Sequence, residues 1–207
     1  MTEGLREQKK QDLRDRLSLM TVLLAREHGL ANVRVEDIVE RVGVSRRTFS
    51  NYFASKEDAI ADRHVQRTRT AAEALRRRPA DEPLWDAVTA VIVEPHVGRT
   101  ELAGGQSKED QDTLLAILAE PDLQAAVTRG SHAAVDELAR AIADRLGVDV
   151  EAELYPRLAA SAVLTTQLLT IDFWLRADPS GPLLPLLTDA LHQLGAGLDH
   201  PRVTTHR

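Results

Sequence analysis

At 207 residues, with 43% hydrophobic and 28% charged side chains, the chain is long enough to bury a core as one mid-sized domain or two small ones, which sets aside general disorder. The absence of cysteine excludes a disulfide framework, a thiol nucleophile and every cysteine-ligated metal site. The formal charge of −6 argues against nucleic acid only as an average: residues 1–78 hold 17 basic and 12 acidic side chains and the remainder 9 and 20, the asymmetry expected when one end meets a polyanion.

Met1 to Asp12 is charged and has no apolar stretch of signal-peptide type. Leu13, Leu17, Met20 and Leu24 then mark one face of a helix over 8–28, with Gly29 placed to end it. Val35, Ile38, Val39 and Val42 repeat the i, i+3, i+4, i+7 pattern over a short helix that Gly43 stops. Ser45 suits the N-cap of a third helix over 46–53 by accepting from the Thr48 amide. Ser55 caps a fourth, 56–78, whose first turn carries Glu57 and Asp58 where the helix dipole favours them. After the breaker-rich segment Arg78 to Pro83, helical spacing returns over 85–97, 108–119, 121–146, 151–177 and 183–198. A polar loop is expected around Gly104 and Gly105 and a frayed tail from His200. No run approaches the ~18 apolar residues of a spanning helix. The most apolar, Ala159 to Leu169, is interrupted by Ser161, Thr165, Thr166 and Gln167. The expectation is an all-α protein in the cytoplasm with no membrane partner.

Two short helices about the Val42 to Ser45 turn have helix-turn-helix spacing, in which the second helix enters the major groove. Its residues are Arg46, Arg47, Thr48, Ser50, Asn51 and Tyr52, after the cap Ser45. Arginine forks onto guanine O6 and N7, asparagine onto adenine N6 and N7, and hydroxyls suit phosphate oxygens. Phe49 and Phe53 suit the inward face, and Lys56 is placed to neutralise a phosphate. Two amphipathic helices around a glycine also occur as plain packing.

The run Val35-Glu36-Asp37-Ile38, Val42-Gly43-Val44-Ser45, Thr48-Phe49, Tyr52-Phe53 and Ser55-Lys56-Glu57 resembles the DNA-binding signature of the TetR family of bacterial repressors, over residues 10–62. The resemblance implies an N-terminal three-helix helix-turn-helix domain, followed by a larger helical domain for ligand binding and dimerisation. It also implies a homodimer on palindromic double-stranded DNA, released by a small molecule. Arg34 and Val35 join the implied DNA contacts. Arg34 stands where the family often has a capping threonine, Ser50 where it often has tyrosine, and Arg47 where it often has a small residue. Glu36 and Asp37 are expected to replace the cap through the helix dipole. Arg47 is the expected guanine reader.

A shorter resemblance, over 51–58 and 78–87, is to a TetR subgroup with an acyl-CoA-like ligand domain. It implies a hydrophobic effector, a fatty acyl-CoA or fatty acid, in an apolar tunnel. Trp85, Leu118, Phe173 and Trp174 are candidates for its walls and Arg99, His132 and Gln167 for its polar contacts, although helical apolar stripes are more often ordinary core. The acidic balance beyond residue 78 opposes a highly anionic ligand. Leu158, Ala162, Leu184, Leu187, Leu191 and Leu194 are expected at a four-helix dimer interface, though the same leucines suit the protomer's own core.

The expected organisation is a DNA-binding domain at 1–55, a linking helix at 56–78, an effector and dimerisation domain at 79–200 and a flexible tail at 201–207. No motif for a metal site, a phosphate loop or a nucleophile elbow occurs, so no enzyme, cofactor or metal is expected. An all-α hydrolase or a helical scaffold remains the competing class.

Overall fold

The computed structural model describes residues 2–94, 108–177 and 182–197, and all regular structure among them is helical. The order is α1 (Thr2–His28), a 3-10 turn (Leu30–Asn32), α2 (Val35–Val42), α3 (Arg46–Ser50), α4 (Lys56–Arg77), α5 (Leu84–Val93), α6 (Lys108–Ala119), α7 (Pro121–Leu146), α8 (Tyr155–Arg176) and α9 (Leu183–Gly195). The expected loop at Gly104 and Gly105 and the expected tail lie outside the described residues.

Two compact units divide the chain. The first takes in Met1–Thr70 and Gln106–Ala134, the second Ala71–Gly105 and Val135–Arg207. The N-terminal unit thus recruits α6 and the first part of α7, which the linear order of expected domains assigns to the effector region. Ile117 of α6 and Leu123 of α7 are buried in one cluster with Leu17, Leu24, Ile38, Val39, Val42 and Phe49.

Within the first unit, polar contacts set where helices sit on this cluster. Arg14 grips the buried Asp62 through Nε at 2.9 Å and Nη2 at 2.7 Å. That bond, and then the nearby carboxylate charge, holds the guanidinium pKa above its ordinary value against the opposing cost of burial. The same guanidinium lies 5.1 Å from the Phe53 ring centroid. Ser18 Oγ donates to the Ala59 carbonyl at 2.6 Å, so α1 is keyed to α4 at two levels. α2 ends at Gly43 with φ 78° and ψ 40°. The Gly43 and Val44 amides both reach the Val39 carbonyl, at 2.9 and 3.0 Å, a closure that needs the left-handed conformation glycine adopts without strain.

In the second unit α9 packs on both α8 and α5. Small residues allow the close approach: a Cβ added at Gly195 would lie 2.8 Å from Cγ of Trp85. The link after α4 is held from α7, where Arg145 donates to the carbonyls of Pro79 at 2.6 Å and Glu82 at 2.5 Å, and Glu82 in turn binds Arg78. Contrary to expectation, α8 is long and apolar enough by composition to cross a membrane, yet 44% of its apolar window is buried inside the protein. Val163, Leu164, Trp174 and Leu175 face that interior, so the helix reads as a core element of the unit.

Candidate nucleic-acid interface

The N-cap of α2 is Arg34, which is extended (φ −107°, ψ 150°) and makes no side-chain cap bond. Asp37 supplies a bond instead, its Oδ2 accepting from the Arg34 amide at 3.1 Å. The acidic first turn therefore acts through a direct hydrogen bond as well as through the dipole. Ser45 caps α3 as expected: its Oγ accepts from the Thr48 amide at 3.0 Å and lies 2.9 Å from Thr48 Oγ1. α3 is shorter than its expected 46–53 span. After Ser50 the chain turns, and the Tyr52 and Phe53 amides both bond the Phe49 carbonyl.

This turn decides which side chains face outward. Phe49 and Phe53 are buried with ring centroids 5.6 Å apart, fixing the inner face. Arg46, Arg47, Ser50 and Asn51 are exposed, while Thr48 and Tyr52 are half-buried. The structure thus presents two guanidinium groups and a hydroxyl on a short capped helix and an amide at its C-cap, the donor and acceptor set that reads base edges and phosphates.

Two of the expected DNA contacts also have partners inside the protein. Lys56 Nζ donates to the carbonyls of Leu30 at 2.7 Å and Val33 at 2.8 Å, which leaves at most one N–H for a phosphate. It pins the start of α4 to the chain entering α2 and is not a free surface cation. The Val35 side chain packs, half-buried, against the core cluster. Two further contacts escaped the sequence-based expectation. Glu36 Oε1 holds Arg46 Nη1 at 2.7 Å, and Arg16 Nη2 donates to the Val42 carbonyl at 3.1 Å. Neither pair has a sequence spacing that marks it; only the fold brings the partners together.

The expected effector residues are divided between the two units. Leu118 and His132 belong to the first unit and Trp85, Gln167, Phe173 and Trp174 to the second, while Arg99 lies outside the described residues. Phe173 is 62% exposed and Trp174 4%, because neighbours on a helix point about 100° apart. Phe173 therefore cannot share an interior wall with Trp174. Gln167 is buried, where a polar group needs a partner, and Trp85 packs against Gly195. His64, on α4 in the first unit, is buried with no partner for Nε2 among the described residues. Burial, reinforced by the Arg67 charge, pushes its pKa down to about 4.

The expected dimer residues also divide. Leu187 and Leu191 are fully buried within one chain and are core, since a partner cannot reach them without unpacking the unit. Leu184 is half-buried. Leu158, Ala162 and Leu194 instead line an open groove of about 510 Å³ with Leu154 and Leu169, which are 69% and 64% exposed.

Residues 21–61 match the family described as bacterial regulatory proteins, tetR family, and residues 82–199 match the MftR C-terminal domain. The chain is 31% identical over 178 residues to the HTH-type transcriptional regulator TcmR of Streptomyces glaucescens, covering 84% of this chain and 79% of that protein. It is 27% identical over 187 residues to a Mycobacterium tuberculosis protein named as the mycofactocin biosynthesis transcriptional regulator MftR, covering 88% and 89%. Among solved structures, Thermus thermophilus FadR in complex with lauroyl-CoA superposes with a TM-score of 0.56 at 23% identity, over 90% of this chain and 95% of that one. By the matches over both its helix-turn-helix and its C-terminal helices, this chain belongs to the TetR family of transcriptional regulators.

Proposed function

We propose that the protein is a transcriptional repressor that binds a palindromic operator as a homodimer and leaves it when a small hydrophobic effector binds. The observation that carries the DNA-binding part is α3: capped by Ser45, anchored inward by Phe49, and showing Arg46, Arg47, Ser50 and Asn51 to solvent. The exposed leucines Leu158 and Leu169 on α8, with Leu154 just before it, support the dimer, because so exposed a row of leucines is unfavourable in water unless covered. A two-fold dimer presents two α3 helices to successive major grooves about 34–36 Å apart.

For the effector, the lauroyl-CoA bound by the Thermus relative supports an acyl chain. The net acidity beyond residue 78 favours a ligand less anionic than a coenzyme A ester, such as a fatty acid. α4 runs unbroken through the Thr70–Ala71 division and is the proposed route of coupling. Linkage then requires that operator weaken effector binding by the factor by which effector weakens operator binding.

The test is the salt dependence of binding to duplex DNA. A dimer contacting several phosphates loses about 10³-fold or more in affinity between roughly 50 and 200 mM salt as counterions are released. A hydrolase or scaffold with this fold shows weak binding and no such slope, and that result would overturn the proposal.

A further inference from the structure

We propose that Glu36 is a specificity-determining positioning residue, which holds Arg46 as the guanine-reading side chain of the recognition helix. The inference rests on the DNA-binding function proposed above and names the side chain that does the reading.

Arg46 opens α3 directly after its cap, among the N-terminal residues that meet base edges when such a helix lies in the major groove. Glu36 sits in the first turn of α2. The tight turn at Gly43 brings the two together, with Oε1 accepting from Nη1 at 2.7 Å. Both side chains are largely exposed, 72% for Arg46 and 57% for Glu36, so the pair contributes little to folding. Its consequence is orientation. A long arginine side chain loses rotamer freedom when it docks, and a carboxylate that already limits its reach lowers that entropic cost.

The atom used decides what remains available. With Nη1 on Glu36, the opposite edge of the guanidinium still presents Nε–H and one Nη2–H side by side. That parallel pair of donors matches O6 and N7 of guanine. The carboxylate also repels phosphate oxygens from the same spot, steering Arg46 away from the backbone. Arg47 is exposed and has no side-chain partner among the described residues, which suits it to a phosphate. The expected guanine reader thus moves by one residue, from Arg47 to Arg46.

The experiment compares the wild type with Glu36→Gln, Arg46→Ala, Arg46→Lys, Arg47→Ala and the Glu36→Gln/Arg46→Ala double variant. Each is titrated against the selected operator and against all single-base changes in one half-site. Arg46→Ala is expected to reduce the preference for guanine at one position by about 5- to 100-fold. Glu36→Gln is expected to relax the same position by several-fold and to tighten binding to unrelated DNA. The double variant should relax that position no further than Arg46→Ala alone, because the carboxylate acts only through the arginine. Arg46→Lys should keep overall affinity and lose the guanine preference, since an ammonium lacks the fork. Arg47→Ala should weaken all sequences alike.

A purely structural Glu36 would not move a single-base preference. A Glu36→Gln profile unchanged at every position, or relaxed at a position that Arg46→Ala leaves intact, overturns the inference while leaving DNA binding standing. A wild type that enriches no sequence overturns the DNA-binding function and this inference with it.

Discussion

The reading head around α2 and α3 and the α8–α9 pair are built from the same kind of amphipathic helix, but they use polar groups differently. In the head, named hydrogen bonds fix geometry: Ser45 to Thr48, Asp37 to Arg34, and Lys56 to two carbonyls. In α8 and α9 the face matters more than any single bond, and α8 carries both a buried stripe (Val163, Leu164, Trp174) and an exposed one (Leu158, Leu169). Short elements with few apolar residues need caps and pins to hold a shape. Long elements can hold shape by packing and have a second face to offer a partner.

The largest expected effect tests the first half of this contrast. Phe49→Ala removes a fully buried ring from the head and should cost about 3–5 kcal/mol, read from thermal or denaturant unfolding. An effect under about 1 kcal/mol would mean that α3 is held by its caps alone.

The second prediction separates core from interface on the long helices. Leu187→Ala should cost about 2–5 kcal/mol because the residue is fully buried in one chain. Leu158→Asp should instead leave helicity intact and shift the mass by light scattering from dimer to monomer at micromolar concentration. Unfolding by Leu158→Asp, or a dimer that survives it, would contradict the division between the two stripes.

His64 gives a pH-dependent test. Its folded pKa of about 4 lies below the unfolded value, so the unfolded chain binds the extra proton first as pH falls. The stability tied to the neutral imidazole is complete above about pH 7 and lost as pH falls from about 6.5 toward 4, by on the order of 2–3 kcal/mol. His64→Phe should flatten that part of the pH–stability profile; a variant profile parallel to the wild type would remove the imidazole from the account. Smallest is Ser45→Ala, expected to cost about 1 kcal/mol through loss of the α3 cap and to weaken DNA binding more than that figure alone implies.

The head was largely legible because its signals are local. A serine three residues before Thr48 is a cap by spacing, and a glycine after Val42 ends a helix by its φ. What sequence spacing missed there lies across the turn: Lys56 beside two carbonyls, and Glu36 beside Arg46. In α8 and α9, periodicity identified the helices but not their faces. Leu187 and Leu158 are both apolar positions on a helical stripe expected at the dimer interface, and only tertiary packing makes one core and the other surface. The adjacent pair Phe173 and Trp174 shows the same limit, since composition alone does not say which of two neighbouring rings points inward. The recruitment of α6 into the N-terminal unit was invisible for a related reason: chain order does not report which core a helix joins.

Reading of a symmetric DNA sequence by two copies of α3 is what the proposed function requires. Its most direct test incubates the purified full-length protein with fragmented genomic DNA of its host at near-physiological salt and sequences what is retained. One enriched palindrome is expected, with guanine at a fixed position in each half-site. Retention without any enriched sequence, or enrichment of a site with no two-fold symmetry, would contradict it.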